Sequence, residues 1–483
     1  MADIAFASAR KLATMVRTRK ISAAELLDHY LARVAKYNPK LNAIVATDIP
    51  AAKKRARAAD RALAKGETWG PFHGVPMTVK EALDVKGLPT TFGLPEFKNH
   101  SATTNALAVD RWQNAGAIVF GKTNVPPWLA DSQSANPVYG TTNNPWDETR
   151  TPGGSSGGSS AAVAAGLTAI EVGSDIASSI RNPAIYTGIY GHKPTYGICP
   201  PRGHAVRDRI SPDDINVIGP LARAAGDLEA ALAVMAGPDE IDSVGYKLAL
   251  QPSKKKALKD FRVAVMLNDP TSEIDREMQD SLQGLADFLG KKKAKVNDTA
   301  RPAFDMARAH WLFNMMLRAA TSHRQTDEDF ARNTKAAEAL SPDDDGFGAR
   351  AMRGQTIRHR DWLMLNEERT RMRWAWHEFF KDYDLFLCPL VPTAAHKHNA
   401  TPVGQRTVEI NGKTMPFGQT LFWSGLIGLP YLPATAIPTG ISKNNMPLGI
   451  QMAGPQYGDL TCIHMAKLLE QEYRGFVPPP GFE

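Results

Sequence analysis

The sequence predicts an α/β fold in a single large domain. Short apolar runs bounded by glycine and proline indicate strands, and longer stretches with helical patterns lie between them. Such alternation of the two element types is typical of α/β proteins. The chain has 483 residues, 43% of them hydrophobic, and no internal repeat. It is long enough for a large core, and we expect one domain over residues 1–483.

The individual elements follow from the same patterns. The predicted helices cover residues 23–37, 227–236 and 359–380, and the predicted strands cover residues 117–120, 262–266 and 385–387. Small apolar residues over 161–170 predict a further buried helix, whereas the polar and acidic run over 326–346 indicates a mobile loop. The charge-free segment 421–438 contains three prolines, which argue against a membrane-spanning helix.

Two serine-rich stretches and one lysine supply the residue types needed for acyl transfer. The first stretch is GGSSGGSS at 153–160, and the second is GSDIASSIRNPA at 173–184. Lys80 ends the run VPMTVK at 75–80, whose alternate apolar residues predict a buried strand. A serine hydroxyl is a weak nucleophile and needs a positioned base, a role that a neutral lysine can fill. Taken alone, the first stretch is equally typical of a flexible linker.

These motifs resemble those of the amidase signature family of Ser-Ser-Lys amide hydrolases. The likeness continues in GPFHGVPMTVKEALDVKGLPTTFG at 70–93, GAIVFGKTN at 116–124, TTNNPW at 141–146 and GHKPTYG at 191–197. The resemblance implies a central, mixed and twisted β-sheet covered by helices on both sides. It also implies a catalytic core over 70–237, a variable and mainly helical cap over 240–380, and a C-terminal part over 384–483 that completes the sheet and the pocket.

Carried over residue by residue, the resemblance implies Ser179 as the nucleophile, Ser155 as the bridging serine and Lys80 as the base. The family holds its bridging serine on a cis peptide bond, which here would join Gly154 to Ser155. Lysine acts as a base only when neutral, and burial lowers its pKa from a reference value of about 10.4. The expected relay moves a proton from Ser179 through Ser155 to Lys80.

Backbone N–H groups next to the nucleophile are expected to form an oxyanion hole. The donors that the resemblance implies are those of Ile176, Ala177, Ser178 and Ser179. Most family members have two glycines where this chain has Ala177 and Ser178, and glycine adopts a positive φ at much lower cost. We therefore expect an altered shape of the hole and of the space beside it. The residues expected to support the loop are Ser156, Asp175 and Arg181.

The substrate is harder to infer from the sequence. The residues expected to line the pocket are Trp128, Leu129, Tyr139, Phe422 and Trp423. Large apolar side chains favour a hydrophobic or aromatic substrate, although core packing accounts equally well for each aromatic. We expect hydrolysis of a linear or cyclic amide through an acyl-enzyme, with anilides, hydrazides, carbamates and esters among the candidates. Two alternatives remain: the glutamine-hydrolysing subunit of a tRNA-dependent amidotransferase, and a non-catalytic binding protein on the same scaffold.

Composition and charge limit which cofactors and partners we expect. The net charge is +7, but the lysine clusters at 254–256 and 291–293 lack interleaved aromatics and favour a solvated face over nucleic-acid binding. His396, His398 and Cys388 lack a fourth ligand at metal spacing, so we expect no metal and no cofactor. Residues 1–20 lack the apolar core of a signal peptide. We expect a cytoplasmic enzyme whose partner is a small-molecule amide, without nucleic-acid or membrane binding, and leave a homodimer open.

Overall fold

Two β-sheets position the candidate catalytic residues Lys80, Ser155 and Ser179. The computed structural model describes residues 2–205 and 209–483. The strands are β1 (Ile44–Thr47), β2 (Pro76–Lys80), β3 (Ile118–Thr123), β4 (Ala135–Asn136), β5 (Gly140–Thr141), β6 (Glu171–Asp175), β7 (Tyr190–Lys193), β8 (Val217–Ala222), β9 (Arg262–Val265), β10 (Lys295–Asn297), β11 (Leu385–Cys388), β12 (Thr407–Ile410), β13 (Lys413–Pro416), β14 (Ala434–Ile441) and β15 (Pro447–Ala453). The helices are α1 (Ala2–Ala5), α2 (Ala9–Arg17), α3 (Ala23–Leu41), α4 (Ile49–Ala64), α5 (Leu107–Asn114), α6 (Gly157–Ala164), α7 (Arg181–Thr187), α8 (Ala225–Met235), α9 (Glu240–Ser243), α10 (Arg276–Lys291), α11 (Met306–Ala320), α12 (Asp327–Glu338), α13 (Phe347–Gln355), α14 (His359–Asp382), α15 (Phe422–Gly428) and α16 (Asp459–Glu472).

Within the described residues, the larger sheet has eight strands in the order β10-β9-β11-β15-β14-β7-β8-β6. β10, β9 and β11 are parallel, and the remaining pairs are antiparallel. Successive side chains of a strand point to opposite faces. Accordingly, Leu385 and Leu387 pack in a core shared with α8, α10 and α16, whereas Phe386 and Cys388 pack in a core shared with α11, α14 and α15. The predicted α/β fold with a mixed central sheet covered on both sides is confirmed.

Lys80 lies at the end of a separate small sheet with the strand order β1-β3-β2. β2 pairs in parallel with β3 and packs against β6 of the larger sheet. Every residue of β2 and of β6 is buried. This packing brings the end of β2 next to the strand that leads to Ser179.

The predicted helices and strands are present with small differences at their ends. α3, α8 and α14 correspond to the helices predicted over 23–37, 227–236 and 359–380, and β3, β9 and β11 correspond to the three predicted strands. α3 begins at a capping box in which Ser22 and Glu25 bond each other's backbone N–H groups. It continues four residues beyond the predicted end, to Leu41. Pro39 lies in its last turn and does not end the helix.

The helix predicted over 161–170 is α6, which instead begins at Gly157 and ends at Ala164. A Cβ on Gly158 would lie 2.3 Å from the backbone nitrogen of Asn124. The glycines of the first serine-rich stretch therefore allow a helix to pack directly against backbone, and the stretch is no flexible linker.

The mobile loop predicted over 326–346 is also wrong, because this segment contains α12. Thr326 is the N-cap of this helix, and its Oγ1 accepts a hydrogen bond from the N–H of Asp329 at 3.1 Å. Three of the acidic residues that suggested a loop, Asp327, Glu328 and Asp329, lie in the first turn of α12. There they interact favourably with the positive end of the helix dipole.

The segment from 240 to 380, expected to be mainly a helical cap, contributes to two layers. β10 and β9 form one edge of the large sheet, and α10 packs against β10, β14 and β15. α11, α12, α13 and α14 pack on one another beside the core that contains Phe386 and Cys388, which we call the second core. We call residues 306–382, from the start of α11 to the end of α14, the helical cap.

Candidate active site

Lys80 is fully buried at the end of β2, and its amine contacts two serines. Its Nζ lies 2.6 Å from Oγ of Ser155 and 2.9 Å from Oγ of Ser174. Burial lowers the pKa of Lys80 to about 7, and the nearby carboxyl groups of Asp175 and Glu171 oppose this shift only in part. Near neutral pH, a large share of Lys80 is therefore the uncharged amine, which can accept a proton.

Close backbone packing fixes the loop that carries Ser155. The peptide bond between Gly154 and Ser155 is cis, as the resemblance implied. Gly153 has a φ of 94°, and a Cβ at this residue would lie 2.4 Å from Oδ1 of Asn182. A Cβ on Gly154 would lie 2.5 Å from the carbonyl oxygen of Asp131. Only glycine fits at these two positions, which explains why two glycines precede Ser155.

Ser179 lies in the loop between β6 and α7, next to the Ser155 loop. Its carbonyl oxygen accepts a hydrogen bond from the N–H of Ser156 at 3.2 Å. Oγ of Ser156 in turn accepts from the N–H of Ser174 at 3.4 Å. Ser179 is 7% exposed and lines a cavity. The Ser179 loop and Gly154 of the Ser155 loop thus line the same cavity, and the amine of Lys80 contacts Ser155 next to it.

A buried ion pair shapes the Ser179 loop from inside the protein. Nε and Nη2 of Arg181 donate to the two oxygens of Asp175 at 2.9 and 3.0 Å. The N–H groups of Ser178 and Ile180 donate to the same carboxylate at 2.8 and 3.1 Å. Burial alone would raise the pKa of Asp175, but the charge of Arg181 and these hydrogen bonds hold it at about 2. The N–H of Arg181 donates to this carboxylate as well, at 3.4 Å, so Asp175 stays ionised and fixes the loop through five donors.

Two polar residues next to this network, Ser174 and Gln451, were missed by sequence reasoning. Ser174 holds the amine of Lys80, as described above. Oε1 of Gln451 accepts from Arg181 at 2.7 Å, while its Nε2 donates to the carbonyl of Trp423 at 2.8 Å. A signal was present, since Gln451 is the one polar residue of β15, PLGIQMA, whose residues are all buried. A buried polar side chain needs a partner, and here the partner is Arg181.

Three of the four predicted oxyanion donors are unoccupied within residues 2–205 and 209–483. The N–H groups of Ile176, Ala177 and Ser179 have no acceptor there. The N–H of Ser178 donates to Asp175 at 2.8 Å, so this predicted donor already has an acceptor. Ser178 has a φ of 95°, in the region that glycine adopts more easily.

The cavity beside Ser179 has a volume of about 130 Å³. Its walls come from the Ser179 loop, from α11 and the start of α13 in the helical cap, and from residues 390–421. Its larger apolar lining residues include Leu129, Ile176, Leu317, Phe347, Leu390 and Phe417. Charged and titratable lining residues are Asp131, Tyr186, Arg318, Arg324 and His396. The cavity is therefore mainly apolar, with a few polar groups set into its walls.

Of the five predicted pocket residues, Leu129 lines this cavity. Trp128 lines a smaller neighbouring cavity together with His204. Tyr139 places its hydroxyl 3.5 Å from Oε1 of Glu81, the residue that follows Lys80. The predictions of Trp128 and Tyr139 as lining residues of the cavity beside Ser179 are therefore wrong.

Phe422 and Trp423 lie in the second core and do not line the cavity. They belong to α15, a short helix that the sequence did not reveal, and they are 1% and 0% exposed. The ring centroid of Phe422 lies 6.0 Å from that of His310 on α11. The predictions for these two residues are wrong because α15 turns the Phe422 ring toward α11, and Nε1 of Trp423 donates to the carbonyl of Ser272 at 3.0 Å.

His398 and Cys388, two of the three residues considered above as metal ligands, each have another partner. Nε2 of His398 bonds Oδ1 of Asn143 at 3.1 Å, and Cys388 lies 3.4 Å from Nε2 of Gln451. In the part of the chain that the structure describes, no group of three or more His, Cys, Asp or Glu residues could hold a metal ion. In that same part, no helix has the length and apolarity needed to cross a membrane.

Comparisons with known proteins cover nearly the whole chain. Residues 25–463 match the family model described as Amidase. An indoleacetamide hydrolase from Bradyrhizobium diazoefficiens is 31% identical, over 96% of this chain and 86% of that protein. A subunit of the glutamyl-tRNA(Gln) amidotransferase from an Anaeromyxobacter species is 30% identical, over 98% and 97%. The solved structure of a bacterial aryl acylamidase of the amidase signature family has a TM-score of 0.82 at 22% identity, over 97% and 96%.

Proposed function

This chain belongs to the amidase signature family and is an amide hydrolase, and from that premise we propose that Ser179, Ser155 and Lys80 carry out its reaction. The observation that carries the proposal is the contact of 2.6 Å between Nζ of a fully buried Lys80 and Oγ of Ser155. A lysine that is neutral near pH 7 and in contact with a hydroxyl is suited to act as a general base.

Acylation begins when neutral Lys80 accepts the proton of Ser155, and Ser155 accepts the proton of Ser179. Oγ of Ser179 bonds to the amide carbon, and the carbonyl electron pair moves onto the oxygen. The N–H groups of Ile176, Ala177 and Ser179, which have no acceptor within the described residues, then donate to this oxyanion. Preorganised donors of this kind commonly lower the barrier by about 2.7–4 kcal/mol each.

The intermediate collapses when the leaving nitrogen takes a proton from Ser155, which Lys80 replenishes. The carbon–nitrogen bond breaks, and an acyl group remains on Oγ of Ser179. Water then gives a proton to the same relay and attacks the ester carbon. A carboxylic acid leaves, and Ser179 regains its proton. Because the acyl-enzyme is shared, esters and anilides of the same acid serve as substrates too.

The apolar walls of the cavity support a substrate with a hydrophobic or aromatic part. Leu129, Ile176 and Leu390 line the cavity together with the nucleophile, and apolar groups bury favourably against such side chains. The relative named as an indoleacetamide hydrolase supports the same class. We therefore propose a small amide, anilide, hydrazide or carbamate with an apolar acyl or leaving group.

The similarity to an amidotransferase component favours L-glutamine as the second candidate substrate. Glutamine carries an ammonium group that requires a free carboxylate. Asp131 is the acid that lines the cavity within the described residues, and both its oxygens are bonded to Arg406 at 2.7 and 3.0 Å. This pairing makes the cavity less suited to glutamine. Glutaminase activity and copurification of partner proteins would support the second candidate.

The experiment that tests the proposal uses a fluorophosphonate, which reacts with activated serines. Intact-mass measurement and peptide mapping are carried out on the wild type and on Ser179→Ala. We expect one adduct, on Ser179, in the wild type and none in the variant. An adduct on another residue contradicts the assignment of Ser179. No adduct on folded wild type supports a non-catalytic binding protein instead.

A further inference from the structure

Arg318 is a charged residue of the cavity wall without a hydrogen-bond or ion-pair partner in the described part of the chain. It lies near the end of α11, and its guanidinium carbon is 5.5 Å from the ring centroid of Phe347, which lines the same cavity. Over residues 2–205 and 209–483, no carboxylate pairs with this guanidinium and no oxygen accepts a hydrogen bond from it. Neither catalysis nor the fold described above uses its five N–H donors.

Neighbouring arginines in comparable surroundings do have partners. Arg324, the other arginine of the cavity, pairs with Asp213 at 3.3 Å. Arg369 of the helical cap pairs with Asp214 at 2.7 Å. A partly buried charge without a partner is costly. Arg318 is half-buried, and burial lowers its pKa without neutralising it, because guanidinium remains protonated in proteins. An anion entering the cavity would remove this cost.

We propose that Arg318 binds a carboxylate of the substrate, so that this enzyme prefers amides that carry a second, anionic group. The planar guanidinium can donate two parallel N–H bonds to a carboxylate. Leu317 and Phe417, which line the cavity with Arg318, would contact the apolar chain that joins this carboxylate to the scissile amide. The inference rests on the proposed function, since Ser179 and Arg318 line the same cavity.

The test compares matched substrates that differ only in the terminal carboxylate. Succinyl, glutaryl and adipoyl p-nitroanilides are paired with butyryl, pentanoyl and hexanoyl p-nitroanilides of the same chain lengths. Each is measured with the wild type, Arg318→Gln and Arg318→Lys. The control is Arg360→Gln, which removes the same charge from an exposed position on α14.

For at least one chain length we expect the wild type to prefer the carboxylated substrate. Arg318→Gln should lower kcat/KM for that substrate by about 10- to 100-fold, the effect of a lost hydrogen bond to a charged group. The same variant should change kcat/KM for the neutral partner by less than about threefold, as expected of a group that touches only the anion. Arg318→Lys should recover part of the loss, and Arg360→Gln should behave as the wild type.

Three results would overturn the inference. They are a preference of the wild type for the neutral partner at every chain length, an equal loss for both partners in Arg318→Gln, and an equal effect of Arg360→Gln. If no anilide is hydrolysed, calorimetric titration with the three carboxylated anilides separates the two proposals. If the wild type binds these anilides and Arg318→Gln does not, the anion site is supported and the proposed function is contradicted. If the wild type does not bind them, the anion site is overturned.

Discussion

The charged side chains of the catalytic core and Arg318 of the helical cap differ in whether they have partners. In the core, Lys80 contacts Ser155, and Asp175 is bonded to Arg181 and to backbone N–H groups. In the cap, Arg318 faces the same cavity without a hydrogen-bond or ion-pair partner in the described residues. Groups that bind each other are satisfied before any substrate arrives, whereas an unpaired group is satisfied only by a ligand. On the proposed function, bond cleavage belongs to the core and substrate selection to the cap.

Removing the base should have the largest effect on the core. In Lys80→Met, a side chain of similar length replaces the amine in a buried site, so Ser155 loses its proton acceptor. General-base catalysis contributes about 10²- to 10⁴-fold, and we expect kcat/KM for a neutral anilide to fall by that factor. Steady-state kinetics measures the loss, and thermal denaturation verifies the fold. Activity within a few-fold of the wild type would contradict the role of Lys80.

Breaking the buried ion pair should have the next largest effect, on stability. Asp175→Asn leaves the buried charge of Arg181 without a counter-ion, and such changes destabilise proteins by about 3–5 kcal/mol. The control is Glu368→Gln, which breaks the solvent-exposed pair with Arg308 and should cost less than about 1 kcal/mol. Urea denaturation gives the free energy of unfolding for both variants. Equal losses would show that the core network is no more important than a surface pair.

The pH dependence of hydrolysis should reveal the base of the core. Burial lowers the pKa of Lys80 to about 7, and only its neutral form accepts a proton. We therefore expect kcat/KM for a neutral anilide to rise as the pH increases through about 7 and to level off above it, by about tenfold per pH unit on the acidic side. A profile that is flat, or that falls over this range, would be inconsistent with Lys80 as the base.

The smallest effect is expected for the loop residue that replaces a family glycine. Ser178→Gly relieves a φ of 95°, but glycine also gains conformational freedom in the unfolded chain. These contributions oppose each other, so the free energy of unfolding should change by less than about 1 kcal/mol. Activity should be retained, because the N–H of residue 178 still donates to Asp175. Loss of hydrolysis with an intact fold would mean that the Ser178 hydroxyl contributes to the reaction.

The difference between the motifs of the core and the cavity wall also explains which site residues could be predicted from the sequence. Lys80, Ser155 and Ser179 belong to motifs because the Ser155 loop requires glycines at 153 and 154 and all three residues need particular partners at fixed spacing. The cavity wall combines residues near 130, 320 and 390–421, and packing between distant segments decides which apolar residue faces the cavity. Phe422 and Leu421 illustrate this limit: both are apolar neighbours, yet Leu421 lines the cavity and Phe422 lies in the core. Local pattern cannot separate these cases.

The most direct test of the division between core and cap is the rate at which a small, neutral fluorophosphonate labels Ser179. This probe requires an activated serine and an oxyanion hole but carries no carboxylate. We predict that Lys80→Met is labelled at least about 100-fold more slowly than the wild type, whereas Arg318→Gln is labelled within about threefold of the wild-type rate. If Arg318→Gln slows labelling as much as Lys80→Met, or if Lys80→Met is labelled at the wild-type rate, the assignment of catalysis to the core and selection to the cap is contradicted.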